Sequence, residues 1–250
     1  MKNIILYLSM ILLAVSFQSC REDEPDDEPI IEDKVRVNVH PLYDGEPLNL
    51  NDIYTTQEGY RIQFTKLNFI ITRLKSNNHT LFESAVFRFD ENGSLLHEGP
   101  GDFTKFDELN GYLGVTEDEN HEDPSARPID DPLNIMNTSD MHWGWNPGYI
   151  FAMVEGKIDT TGTPGADLNA SFLYHPGLDP LLQEINLSNI TWSKVEDNIH
   201  GTEWYLDAEK IFNGTHIIDI KEERTSHTNP GQEELSEKIL VNLKDALRTQ

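Results

Sequence analysis

From Val35 onward the sequence repeats one pattern. Short runs place an apolar residue at every second position, and clusters of Gly, Pro, Asn and Asp separate them. A period of two puts alternate side chains on opposite faces of a strand. "VRVNVH" sets Val35, Val37 and Val39 on one face, ending at His40. "YRIQF" does the same with Tyr60, Ile62 and Phe64, then runs on through "LNFIITRL". There the apolar density rises, which predicts a strand buried on both faces. "AVFRFDENGSLLHEG" predicts a hairpin, with Val86, Phe87 and Phe89 entering a turn and Leu95 and Leu96 leaving it. The later acids lack the spacing of a calcium loop, so "DENGS" reads as a turn. "YIFAMVEGKI", "NASFLYH", "QEINLSNITWSKV" and "EWYLDAEKIF" continue the strand pattern. Short strands at this spacing predict an all-β, β-sandwich-like domain.

One helix interrupts the pattern and is expected to pack on a sheet. In "NPGQEELSEKILVNLKDAL", Leu235, Ile239, Leu243 and Leu247 recur every four residues and Leu240 widens the stripe. Asn229 reads as the N-cap, Pro230 as the first helical residue and Gln232 as a capping-box partner. Residues 116–134 form a long acidic insertion. Most such loops are solvated; a few bind cations or close over a site.

The N-terminus points to a compartment. "MKNIILYLSMILLAVSFQSC" has Lys2, an apolar run from Ile4 to Val15, and small or polar residues ending at Cys20. Residues 1–19 therefore read as a lipoprotein signal peptide, too short to span a bilayer. Cys20 is the chain's only cysteine. Its place resembles a bacterial lipobox, where an acylated cysteine becomes the mature N-terminus. Residues 20–33 form an acidic, proline-containing tether, similar to a surface-export signal of lipoproteins, and the domain occupies residues 34–250. The expected location is the bacterial envelope, as an outer-membrane lipoprotein that is periplasmic or surface-exposed.

The net charge of -25 excludes nucleic-acid binding through phosphate contacts and disfavours adsorption to anionic lipid, leaving the acyl chain as the bilayer contact. Without further cysteines the domain has no disulfide, and a metal site must draw on His, Met, Asp, Glu or main chain.

One stretch stands out. "MHWGWNPGYIF", residues 141–151, sets two tryptophans two residues apart beside a methionine and a histidine. If it is extended, Met141, Trp143 and Trp145 share one face and His142 with Gly144 takes the other. Two tryptophans on one strand face suit a core or an aromatic cap. A site would need partners from elsewhere. His40 ends the first strand, and His175 lies at a strand end in "FLYHPG". Two imidazoles with a softer third group such as Met141 suit copper, particularly Cu(I).

The same residues carry a resemblance. "MHWGWNPGYIFAMVEG" resembles the pattern Met-aromatic-Trp-x-Trp-x-x-Gly-Tyr-x-Phe, ending in Glu-Gly, of the MbnP-like family of copper-binding bacterial lipoproteins. "DGEPLNLNDIYTTQEGYRIQFTKLNFIITRL", "DPLN", "FLYHPG" and "TSHTNPGQEELSEKILVNL" resemble the family's other blocks, in order. The resemblance covers the chain from about Val35 to the C-terminus. It implies a β-rich fold and a single copper held by histidines. It also implies a tryptophan that can be oxidised to kynurenine by a partner di-haem enzyme of the cytochrome c peroxidase type. Trp143 and Trp145 fall on the family's Trp-x-Trp positions and His175 on its histidine. His142 stands where Tyr or Phe is commoner, and His40 falls near the first-strand histidine position.

The expected metal ligands are thus His40, His142 and His175, with Met141, Trp143 and Trp145 as the site wall and Cys20 as the lipidation site. The expected function is copper acquisition or handling without turnover. The alternative is a metal-free binding module that presents Trp143, Trp145, Trp192 and Trp204 to a glycan or protein. No Gly-x-Ser-x-Gly or His-Glu-x-x-His motif supports a hydrolase.

Overall fold

The computed structural model describes residues 32–138, 140–144, 147–227 and 229–249. The signal segment, Cys20, the tether before Glu32 and Trp145 lie outside the described residues.

In chain order the strands begin with β1 (Lys34–Tyr43), β2 (Glu46–Pro47), β3 (Tyr54–Thr55), β4 (Arg61–Ser76), β5 (His79–Arg88), β6 (Leu95–Pro100) and β7 (Leu109–Leu113). They continue with β8 (His142–Gly144), β9 (Gly148–Tyr149), β10 (Ala152–Ile158), β11 (Ala170–Tyr174) and β12 (Gln183–Leu187). The last are β13 (Ser193–Glu196), β14 (Ile199–Asp207), β15 (Thr225–Ser226) and β16 (Leu247–Thr249). Four single helical turns, α1 (Phe89–Asn92), α2 (Glu117–Asn120), α3 (Ile135–Thr138) and α4 (Lys210–Asn213), precede the long helix α5 (Glu233–Ala246).

Two sheets carry the domain. The first has the order β13-β14-β1-β2, with β16 also on β14 and β6 on β1. The second has the order β12-β7-β4-β10-β11-β15, with β3 and β5 also on β4. A two-stranded ribbon, β8-β9, completes the set. The architecture is the expected β-rich one with a C-terminal helix packed on it.

The period-two reading holds where one face is covered. Val35, Val37 and Val39 of β1 are fully buried, while Lys34, Arg36, Asn38 and His40 alternate with them on the outer face. β4 is the two-sided strand: its residues from Leu67 to Thr72 are all buried. The core joins the two sheets where Tyr43 of β1 packs edge-on against Phe64 of β4, with ring centroids 6.1 Å apart, and Phe64, Phe172 of β11 and Phe212 of α4 extend it at 5.6–5.8 Å. Each such side chain contributes about 1.5–3 kcal/mol on leaving water.

Three expectations are corrected. The segment 86–96 is not a hairpin. β5 pairs antiparallel with β4 and β6 with β1, so α1 carries the chain from one sheet to the other. A local turn signal marks a reversal but does not choose the partner. The long helix also starts later than its caps suggest. Gly231 takes φ +90°, which ends any helical path from Pro230, and Gln232 becomes the N-cap. The Gln232 side chain accepts from the His227 backbone N–H at 2.9 Å, outside the helix. Finally, Leu247 leaves the helix and pairs with Leu206 of β14. Ile239, Leu240 and Leu243 are buried as the stripe requires, with Leu235 half-buried beside the core.

The acidic insertion is clamped against the domain. Within the insertion Arg127 pairs with Glu122 at 2.8 Å and Asp131 at 3.0 Å; against the domain, Asp118 pairs with Arg73 of β4 and Leu133 is fully buried. The Tyr149 hydroxyl donates to Leu133 O at 2.6 Å, and the Tyr149 N–H donates to Asn120 Oδ1 at 2.8 Å. The insertion therefore covers the ribbon that holds the tryptophan motif.

Candidate metal centre

β11 and β15 run parallel, with Tyr174 opposite Ser226. The next residue on each strand is a histidine. His175 N donates to Ser226 O at 2.7 Å, which carries the register one step further. The imidazoles of His175 and His227 consequently stack, with centroids 4.9 Å apart and planes 8° from parallel. The Ser226 and Ser236 hydroxyls hydrogen-bond in the interior and tie this edge to α5.

A row of charged groups leads to the pair. Glu155 on β10 stands opposite Lys66 on β4, and its Oε1 lies 2.8 Å from His175 Nε2. Lys66 donates to Asp140 Oδ2 at 2.9 Å, and Asp140 Oδ1 meets Arg88 at 2.8 Å. Burial lowers the His175 pKa, opposed by Glu155 and reinforced by His227 and Lys66. The neutral imidazole, the form that binds metal, is thereby favoured. His227 Nε2 is buried and has no hydrogen-bond partner among the described residues.

Trp143 closes the site. Between β8 and β9, His142 pairs with Tyr149 and Gly144 with Gly148, so Trp143 is the extra residue of a bulge. Met141 is fully buried, whereas Trp143 is half-buried and packs against the margin of the same core. Its ring lies against Gly177, where a Cβ would sit 3.3 Å from Cζ3. Trp143, Pro147, Leu178, His227 and Asn229 line a recess of about 300 Å³.

The other expected ligands lie apart. His142 packs edge-on against Tyr149, with centroids 4.7 Å apart. Its Nε2 is buried without a partner among the described residues, and burial lowers its pKa against the pull of Asp123. His40 sits on β1 in the other sheet, paired with Glu203 and 5.7 Å from the Tyr205 ring. The structure therefore brings His175 and Trp143 together around His227, and leaves His40 elsewhere. Among the described residues, no three His, Cys, Asp or Glu side chains are arranged to hold a metal ion. The donor set is two imidazoles, one with an orphan nitrogen. That set fits Cu(I), which accepts few soft or imidazole ligands, and does not fit calcium or magnesium, which need oxygen shells.

Comparison with known proteins decides the lineage. The sequence model of MbnP matches residues 32–230. The chain belongs to the MbnP family. Its fold is similar to that of MbnP from Methylosinus trichosporium, with a TM-score of 0.50 at 14% identity, covering 75% of this chain and 80% of that one. At that identity the likeness speaks for the fold alone. No curated protein sequence matches.

Two residues of this MbnP-family site were missed as candidates. Glu155 lies in the motif's Glu-Gly and His227 in the closing "TSHTNPG" block. Both blocks are visible in the sequence, but only the strand pairing shows that they meet at His175.

Proposed function

We propose that this protein is a lipid-anchored, extracytoplasmic copper-binding member of the MbnP family, which acquires or hands on copper without turnover. One observation carries the reading: the buried Nε2 of His227, without a hydrogen-bond partner among the described residues, lies in a ring stacked on His175, beside the family's first motif tryptophan. His175 and His227 are the residues that would hold copper, and Glu155 would orient His175. Trp143 supplies a partly dry wall and is a candidate for oxidation to kynurenine by a di-haem peroxidase-type partner. Acylation of Cys20 would hold the domain at the outer membrane, on its periplasmic or outer face.

The aromatic-patch alternative has less support. Trp204 is fully buried, and Trp192 Nε1 donates to Phe106 O at 2.9 Å.

Metal content and intact mass of protein purified from its native host test the reading. One copper per chain is expected. A peptide containing Trp143 that has lost one carbon and gained one oxygen would add the oxidation. Metal-free protein that also fails to take up Cu(I) in vitro would overturn it. Independently, Cys20→Ala should move the protein from the membrane to the soluble fraction.

A further inference from the structure

A charged row crosses one face of the second sheet and ends at the histidine pair. Glu155 of β10 lies opposite Lys66 of β4 on one side and Leu173 of β11 on the other. Residues two apart along a strand share a face, so His175 stands on this face with Glu155 and Lys66. The Lys66 ammonium donates to Asp140 Oδ2 at 2.9 Å, and Asp140 Oδ1 meets Arg88 at 2.8 Å. Of the two cations in the row, Lys66 is the one whose charge acts on His175.

Glu155 sets a problem that Lys66 answers. Its Oε1 lies 2.8 Å from His175 Nε2 and orients the ring. An unbalanced carboxylate so close to a metal stabilises a divalent ion more than a monovalent one. The net charge of -25 pulls the same way. Arg88 offsets Asp140, which leaves Lys66 to offset Glu155. Burial lowers the Lys66 pKa, but Asp140, Glu155 and Asp90 outweigh it and keep the ammonium charged. The Lys66 side chain is 25% exposed, so solvent screens that charge incompletely.

We propose that Lys66 makes the histidine site select Cu(I) over Cu(II), its ammonium cancelling the charge of Glu155 without ligating the metal. This inference rests on the copper reading above and concerns the choice between the two ions, not the presence of the site.

The test is the ratio of Cu(I) to Cu(II) affinity of the full chain, from competition with a Cu(I) chelator under anaerobic reducing conditions and with a Cu(II) chelator in air. Proton competition at the imidazoles and general loosening of the fold weaken both ions and cancel in the ratio. Lys66→Met should shift the ratio toward Cu(II) by about tenfold, equivalent to about 59 mV in a one-electron potential. Lys66→Arg should keep the wild-type ratio. Asp140→Asn removes a negative charge from the row and should shift the ratio the other way, toward Cu(I). A change of less than about twofold in Lys66→Met, in a protein whose wild type binds Cu(I), would overturn this inference and leave the copper reading standing. Shifts of the same sign in Lys66→Met and Asp140→Asn would also overturn it, since they report disturbed structure rather than charge. Wild type that takes up neither ion would overturn both readings.

Discussion

The imidazoles of His175 and His227 lie stacked 4.9 Å apart, although the two residues are far apart in sequence and come from different strands. If they form the copper site, His175→Ala and His227→Ala should each weaken Cu(I) binding by orders of magnitude in a chelator competition. His40→Ala should leave it unchanged, because His40 is held by Glu203 on the other sheet. Equal losses from His40→Ala and His227→Ala would refute this assignment.

Glu155 accepts from His175 Nε2 at 2.8 Å, so it sets the orientation of that ring. Glu155→Gln should lower metal affinity by about 10-fold to 100-fold, the usual cost of losing such a supporting partner. Far-UV spectra and unfolding midpoint should barely move, since Glu155 is only partly buried. Affinity equal to wild type would show that Glu155 does not position the ligand.

Gly156, the neighbour of Glu155, has no room for a side chain. A Cβ there would collide with the Gln63 carbonyl oxygen and the Phe172 ring. The crowding atoms are backbone and a core aromatic, neither of which yields easily. Gly156→Ala should cost about 1–3 kcal/mol in denaturant unfolding, as overpacking does. A neutral result would mean that the bulge between Glu155 and Gly156 can shift freely.

Stability should fall with acid in a way traceable to His97. Its folded pKa of about 4 lies below the ordinary 6.5, so between these values the unfolded chain binds a proton that the folded chain refuses. The neutral-imidazole contribution is complete above pH 6.5 and is lost as the pH falls toward 4. Between those limits wild type should lose about 1–3 kcal/mol more than His97→Phe in urea unfolding. Parallel losses in the two proteins would assign the acid sensitivity to the paired carboxylates instead.

The strands were legible in the sequence because a half-buried strand must alternate. Val35, Val37 and Val39 could face inward only together, and "LNFIITRL" was too apolar to leave either face in water. The helix stripe through Ile239 and Leu243 followed from the same kind of local rule, and the family from residues 141–156 and their companion blocks. Periodicity acts within one segment, so it carries no information on which segment lies beside it. Leu247 illustrates the limit: burial satisfies it in helix or strand, and only the free edge of β14 chose the strand. The apparent 86–96 hairpin joined different sheets for the same reason. Trp143 became the extra residue of a bulge, a feature of the pairing with β9 that no local pattern announces. His40 and His175 looked equivalent as strand-end histidines, yet pairing put them on separate sheets. His227 became the partner of His175 through one parallel register, Tyr174 opposite Ser226. Long-range pairing is set by how the two sheets share their core, and that sharing exists only in the folded chain.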